Sequence, residues 1–431
     1  MIRCARNLDV LCWGLSLRKC NQLHRKVDLS SMNRIFGLSA RMLVMACAFA
    51  AVSFAPSTGL ALDNGLARTP PMGWNSWNKY ACKGINEKVV RDTADAMATN
   101  GMKDAGYVYV VIDDCWQTGR DAQGNIIADV ERFPSGIKAL ADYVHGKGLK
   151  LGIYTDAGTL TCAKRMGSIG HEYQDARQYA NWGIDYLKED WCNTLPGQNT
   201  ESSYTLMREA LKASGRPILF SICEWGSTKP WLWAGGIGNM WRSTGDIQDC
   251  WDCKKTWGGN GVVQIMDLMD GIESYSGPGG WNDPDMLEVG NGGMNKEESR
   301  THFSMWAMWS APLLAGNDIA NMSTDTKEIL MNKEVIAIDQ DALGQQARRV
   351  RKVGDLEVWS KQLADGGRAV ALVNRGAAAT KMSVTWREIG YPDALSASVR
   401  DLWAKKDAGK VSGEYSAEVP SHGVAMFTVK P

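Results

Sequence analysis

Short apolar runs bounded by turn residues recur along the middle of the chain, at 72–76, 107–112, 149–154, 184–188, 217–221, 239–242, 279–281 and 312–315. Strands buried on both faces have this character. The run at 279–281 is the weakest of the set. Between the runs, apolar positions recur at helical spacing: Val89, Val90, Thr93, Ala94 and Met97; Ile137, Leu140, Ala141 and Val144; Phe303, Trp306, Ala307 and Ser310. Eight alternations of strand and helix over 68–340 predict a (β/α)8 TIM barrel. A doubly wound sheet is the competing arrangement. It wants a glycine-rich phosphate loop after the first strand, and none is present. Past Asp341-Ala-Leu-Gly344 the helical period disappears. Short β-rich runs follow at 356–360, 369–374, 381–386, 398–402 and 424–429, separated by Gly and Asp clusters. They predict a C-terminal antiparallel β-sandwich. The expected domains are a barrel over 62–343 and a sandwich over 344–431.

The N-terminal stretch has a different character. From Met32 the chain runs MNRIFGLSAR, then MLVMACAFAAVSFA, then STGLA. These are a basic region, an apolar region of secretory length, and small residues at Gly59 and Ala61 for cleavage. The expectation is an export signal over 32–61, preceded by an upstream extension over 1–31, with the mature chain starting at Leu62 and secreted or periplasmic. The apolar region is too short for a comfortable membrane span, so no membrane is expected in the mature form.

The chain has 431 residues, 44% of them hydrophobic, enough for one large domain and a smaller one. Its 48 Lys and Arg balance 48 Asp and Glu, which argues against a nucleic-acid partner. Eighteen Trp serve either as core aromatics or as flat faces for a pyranose, and position has to decide between the two. Eleven Cys include Cys4, Cys12, Cys20 and Cys47 ahead of the expected cut, leaving seven after it. Seven is odd, so at least one thiol stays unpaired unless it bridges chains. Cys250-x-x-Cys253 lacks a second Cys or His pair for zinc, so a local disulfide is the better reading in an oxidising compartment.

Acids cluster at the strand ends. The second strand ends in Asp113-Asp114, the third reaches Asp156, the fourth ends in Lys188-Glu189-Asp190, and the fifth in Cys223-Glu224-Trp225. The sixth reaches Asp246, the seventh Asp283 and Asp285, and the eighth Asp318. In a barrel these ends converge on one face, where active sites are built. A single Asp there is as readily a helix cap or turn residue. A whole ring of like charges is costly unless a ligand or cations use it. Metal or Ser–His–Asp chemistry would call for His at a strand end, and His145, His171, His302 and His422 all lie elsewhere. Carboxylates without His point to glycoside hydrolysis, which needs one nucleophilic and one protonated carboxyl group. Asp190 and Asp246, two strands apart, are placed to face each other across a sugar. Lys188, on the same side of its strand as Asp190, would hold that carboxylate ionised, unless it serves a structural ion pair. Arg242 stands in a similar relation to Asp246.

These segments resemble glycoside hydrolase family 27, which includes α-galactosidases and α-N-acetylgalactosaminidases. The resemblance is carried by LDNGLARTPPMGWNSW (62–77), IDDCW (112–116), KGLKLGIY (147–154), DYLKEDWC (185–192), CEWG (223–226), WRSTGDI (241–247), GPGGWNDPDML (277–287) and APLLAGND (311–318). It implies a retaining α-galactosidase with no cofactor and no metal, acting on α-galactosides with Asp190 as nucleophile and Asp246 as acid/base. It further implies that Asp113 and Asp114 bind the 4- and 6-hydroxyls, Trp77 stacks on the ring edge and Tyr154 lies close by. Lys188 and Arg242 would bind ring hydroxyls, Cys223, Glu224 and Trp225 would surround the 2-position, and Asp285 would stand at the rim. Disulfides Cys82–Cys115 and Cys162–Cys192 are implied as well, leaving Cys250 and Cys253 as a pair and Cys223 free. Bulky Glu224-Trp225 disfavours a 2-acetamido group. The intact Asp113–Asp114 pair argues against a β-L-arabinopyranosidase, because a polar site discriminates strongly when a hydrogen-bond partner is lost. A sugar-binding protein without catalysis would be expected to lack Asp190 or Asp246, and both are present.

Overall fold

The computed structural model describes residues 61–431. The expected extension and export signal lie outside these residues apart from Ala61, as do Cys4, Cys12, Cys20 and Cys47. Eight strands fall at or beside the eight predicted segments, β7 sharing only Trp281 with the expected 279–281: β1 (Met72–Asn75), β2 (Tyr109–Val111), β3 (Lys150–Asp156), β4 (Tyr186–Asp190), β5 (Leu219–Ile222), β6 (Met240–Arg242), β7 (Trp281–Asp283) and β8 (Leu313–Ala315). They form one parallel sheet in the order β8-β1-β2-β3-β4-β5-β6-β7. Closure of the ring falls beyond β7, where Leu287 bridges Ala315. There the Leu287 N–H donates to the Leu314 carbonyl at 2.8 Å. Pro284 follows β7 directly and has no N–H to extend the ladder.

The helices follow from the same periodicity. In Glu87–Thr99, Val90, Thr93, Ala94 and Met97 are buried, and Asn86 caps the start by accepting from the Val89 N–H. In Gly136–Gly146 the buried set is Ile137, Leu140, Ala141 and Val144. Between β5 and β6 the expected helix is reduced to a single 3-10 turn, Pro230–Leu232. Gly226, Gly235, Gly236 and Gly238 make that connection a poor helix former. Helix Lys296–Met308 stops short of Ser310, which has a φ of 50°.

The sandwich contains β9 (Arg348–Val353), β10 (Leu356–Gln362), β11 (Arg368–Asn374), β12 (Thr380–Thr385), β13 (Ser396–Asp401), β14 (Lys406–Ser412), β15 (Glu414–Val419) and β16 (Val424–Lys430). A six-stranded sheet, β9-β10-β11-β16-β13-β14, faces the two-stranded sheet β12-β15. Strands β9, β14 and β15 were absent from the pattern. Charged β9 and exposed β14 are the two edges of the large sheet, with no continuous buried face to imprint an alternation. Strand β11 is apolar on both sides because Val370 and Leu372 pack into the sandwich while Ala369, Ala371 and Val373 join the barrel core.

Helix Lys296–Met308 lies at this junction and is buried from Thr301 to Met308. The buried Lys361 ammonium donates to Ser310 Oγ at 2.6 Å and the Ala307 carbonyl at 3.2 Å. No helix among the described residues is long and apolar enough to cross a membrane.

The structure contains disulfides Cys82–Cys115, Cys162–Cys192 and Cys250–Cys253, with Cys223 free and buried. The first two join cysteines 33 and 30 residues apart, loops whose closure is worth roughly 3–4 kcal/mol each. Peptide mapping of the unreduced chain from Leu62 onward should find these three bridges and one thiol, Cys223, that reacts with iodoacetamide only after denaturation. A bridge to Cys223 would contradict the arrangement.

Candidate active site

The C-terminal ends of the barrel strands surround a cleft of about 530 Å³. Trp77, Asp113, Asp114, Tyr154, Lys188, Asp190, Trp225, Arg242, Asp246 and Asp285 line it. Parallel register brings these residues level with one another: Tyr154 pairs with Lys188, Asp156 with Asp190, and Arg242 with Asp283.

Two cations are shared among the acids. The Lys188 ammonium donates to Asp113 Oδ2 at 2.8 Å. The same oxygen accepts from Asn75 Nδ2 at 2.8 Å, and the Asp113 N–H donates to Ser76 Oγ. Arg242 contacts Asp246 Oδ1 at 2.9 Å and Asp285 Oδ2 at 2.8 Å. Burial works against the charge on Lys188 and on Arg242, but neighbouring acids outweigh it and hold both pKa values well above the usual.

Among the described residues, Asp190 has no direct cationic partner. Its Oδ2 accepts from the Tyr154 hydroxyl at 3.0 Å and its Oδ1 from the Trp191 N–H at 3.0 Å. Burial pushes the carboxyl up to about 6, with Lys188 pulling down and Asp246 adding to the rise. Lys188 does act on Asp190 in the expected direction, favouring the ionised carboxylate through space, but its ammonium is bonded to Asp113 and burial outweighs it. Asp114 is raised by burial too, although Oδ1 accepts from the Cys115 N–H at 2.6 Å and Oδ2 from the Ala163 N–H at 2.9 Å.

Other expected residues lie further back. Cys223 and Glu224 are fully buried and do not line the cleft. Cys223 Sγ lies 3.7 Å from an Arg242 guanidinium nitrogen. Glu224 accepts from the Thr228 N–H at 2.7 Å, and burial raises its carboxyl to about 7. Asp156 is also withdrawn from the cleft. It accepts from the Gly158 and Cys192 N–H groups, and burial followed by the charge of Asp190 lifts it to about 8. Asp283 is buried outside the cleft lining, and Asp318 pairs with Asn321 away from it. Asp156, Cys162, Asp190 and Cys192 cluster closely enough to suggest a metal site, but the two sulfurs are bonded to each other and offer no thiolate.

Sequence reasoning missed several contributors. Asn75 and Ser76 position Asp113, and their place at the end of β1 was a usable signal. Lys79, Gln248, Asp249, Trp257 and Glu288 also line the cleft. Lys79 sits in the short helix Trp77–Gly84 after β1, and the other four stand in loops, where periodicity is silent. Glu288 is raised to about 8, chiefly by burial, and accepts from the Asn78 and Asn291 side chains. Cys115, Trp225 and Asp285 all have positive φ. Strain of this kind gathers where surrounding structure holds a site in shape.

Residues 69–341 match the family model of alpha galactosidase A, and 353–429 that of the alpha galactosidase C-terminal beta sandwich domain. An alpha-galactosidase of Cyamopsis tetragonoloba is 53% identical over 371 residues, covering 86% of this chain and 88% of that protein. Alpha-galactosidase I from Mortierella vinacea has a crystal structure similar at a TM-score of 0.83 and 43% identity, covering 85% of this chain and 98% of that one. The structure of the Saccharomyces cerevisiae enzyme with raffinose is similar at a TM-score of 0.81 and 32% identity, covering 85% of this chain and 99% of that one. An acid-lined barrel mouth, family models over both domains and a relative more than half identical along most of both chains lead to one conclusion: the chain belongs to glycoside hydrolase family 27, the α-galactosidases.

Proposed function

We propose that this enzyme releases terminal α-D-galactosyl groups by double displacement, with Asp190 as nucleophile and Asp246 as acid/base. The observation that carries this division of labour is the unequal surroundings of two carboxyls lining one cleft. Asp190 is 5% exposed and hydrogen-bonded into position, whereas the Asp246 side chain is 41% exposed, held by Arg242 and open to solvent. A nucleophile profits from fixed geometry, and an acid/base has to meet a leaving group and then water.

Asp190 attacks the anomeric carbon while the bond to the leaving oxygen breaks and Asp246 gives that oxygen its proton. Water then attacks the β-linked galactosyl-enzyme, Asp246 takes the water proton, and Asp190 leaves as carboxylate. Asp113 and Asp114 bind the 4- and 6-hydroxyls, Trp77 covers the ring edge, Tyr154 steadies Asp190, and the spare N–H groups of Lys188 and Arg242 reach ring hydroxyls. Trp225, backed by Cys223 and Glu224, closes the space at the 2-position against an N-acetyl group, and Asp285 holds Arg242 at the rim. Raffinose bound to the yeast relative supports raffinose-type oligosaccharides as substrates, alongside melibiose and galactomannan. Three disulfides support export to an oxidising compartment, the proposed destination of a chain cut before Leu62.

Retention places the two carboxyl groups about 5–5.5 Å apart, against roughly 6.5–9.5 Å for inversion. Proton NMR of the first product, recorded before mutarotation, should show α-galactose; β-galactose appearing first would overturn the role of Asp190.

Asp190 must be ionised to attack, and its carboxyl is raised to about 6. Protonation at lower pH removes the nucleophile, so kcat/KM should fall about tenfold per pH unit below an apparent pKa near that value. An acid limb near the ordinary Asp value of about 3.9 would contradict this environment for Asp190.

Asp114→Ala should lower kcat/KM more for α-D-galactosides than for β-L-arabinopyranosides, which lack the hydroxymethyl group. A mismatched polar partner is worth orders of magnitude in such sites. Equal losses on p-nitrophenyl substrates of both kinds would remove Asp114 from 6-hydroxyl recognition.

A further inference from the structure

The proton donor fixes where the leaving group must lie. If Asp246 protonates the glycosidic oxygen, whatever that oxygen carries extends over the Asp246 side of the cleft. The segment immediately after Asp246 supplies a surface there. It folds back on the acid: the Asn260 N–H donates to the Asp246 carbonyl at 2.9 Å, and the Gln248 N–H to the Asn260 carbonyl at 2.8 Å. Its tip is a tight turn in which the Lys255 N–H donates to the Gly259 carbonyl at 2.7 Å and the Gly258 N–H to the Lys255 carbonyl at 3.1 Å. Its base is tied by Cys250–Cys253 and by the Gly261 N–H donating to the Cys253 carbonyl at 2.6 Å.

Trp257 stands at the tip of this turn. It lines the cleft and yet is 62% exposed. The indole is seated rather than splayed. A Cβ at Gly259 would fall 2.7 Å from Trp257 Cη2, 2.8 Å from Cζ2 and 3.1 Å from Gln248 Cγ. Only glycine lets the ring lie against the loop backbone in this way. An apolar surface of this size left in water is costly unless something covers it in the working state. Gln248 lies beside Gly259 with Trp257, Asp249 follows it in the chain, Lys79 is within electrostatic reach of Asp249, and all three line the cleft with hydrogen-bonding groups.

We propose that Trp257 is a stacking platform for the sugar joined to the departing galactosyl group, and so determines preference among leaving groups. The proposal rests on Asp246 being the acid/base. A flat indole takes the apolar C–H face of a pyranose, while Gln248, Asp249 and Lys79 meet its hydroxyls. The occupant is a neutral sugar residue of an oligosaccharide.

The test compares leaving groups. Trp257→Ala should lower kcat/KM for raffinose and melibiose by roughly tenfold, the scale of one aromatic contact. Methyl α-D-galactopyranoside offers nothing to stack and should change by less than about twofold, within what a factor so small means in barrier height. Inhibition by free galactose should be unchanged. Trp257→Phe should recover most of the loss, and Gly259→Ala, which unseats the ring without removing it, should reproduce the selective loss. Proportionate losses on all three substrates, or none on any, would overturn the platform. If Trp257→Ala disturbs the loop enough to weaken galactose inhibition, the Phe and Gly259→Ala variants decide, since both keep an aromatic ring. Failure of the wild-type enzyme to hydrolyse methyl α-D-galactopyranoside would instead count against the galactosidase chemistry itself.

Discussion

The mouth of the barrel holds more buried carboxyl groups than cations, and the sharing of Lys188 and Arg242 among them governs the rest of the site. Lys188 neutralises Asp113, and Arg242 is divided between Asp246 and Asp285. Asp190 and Asp114 are left to backbone N–H groups and a tyrosine hydroxyl, so burial wins and their carboxyls rise. Removing either cation would strand buried carboxylates, a loss on the order of 3–5 kcal/mol. The same imbalance leaves a polar, partly uncompensated cavity lined with hydrogen-bond acceptors.

The acids can be held this close because the loops that carry them are tied down. Cys115 follows Asp114 and is bridged to Cys82 on the helix after β1. Cys192 lies two residues past Asp190 and is bridged to Cys162, whose neighbour Ala163 donates to Asp114. Withdrawn Asp156 completes the arrangement by accepting from Gly158 and Cys192 backbone groups on both of these loops. Its raised pKa, to about 8, lessens the charge facing Asp190 at neutral pH. The disulfides thus act on the site through position as well as on the unfolded chain through entropy.

The sandwich contributes no residue to the cleft lining, yet it covers the barrel through helix Lys296–Met308, whose burial on nearly every side explains why its apolar positions exceed a single stripe. Across that junction Arg349 and Arg375 reach Asp267 of the barrel, and both also meet the buried Glu357. Lysine Lys361, buried against Ser310, has its pKa lowered to about 8 by desolvation. The Lys361 contacts hold the helix Lys296–Met308 at its C-terminal end and the segment leading into β8.

Much of this was legible in the sequence, for identifiable reasons. Strands buried on both faces leave continuous apolar runs, so seven barrel strands could be placed, while the expected position of β7, polar at Asn282 and Asp283, fell two residues early. Parallel strands of a closed barrel must present their C-terminal ends together, so Asp113, Asp114, Asp190, Asp246 and Asp285 were marked as neighbours before any contact was known. An odd number of cysteines required a thiol to remain. Edge strands β9 and β14 were illegible because an exposed, charged strand carries no alternation. Pairing was illegible as well. Lys188 lies two residues from Asp190 in the chain but bonds to Asp113, 75 residues away, because strand register and side-chain reach choose the partner. Likewise Glu224 and Asp156 look like site acids by position, and only packing withdraws them from the cleft; Trp257 looks like any loop tryptophan until the fold-back onto Asp246 brings it into the cleft lining. The order of elements and the kinds of chemical groups at the barrel mouth are properties of the sequence, since they depend on periodicity and on strand ends. Which charge meets which, which carboxyl is dried out and which aromatic faces the cleft are decided by tertiary structure, since desolvation and ion pairing depend on distances the linear order does not contain.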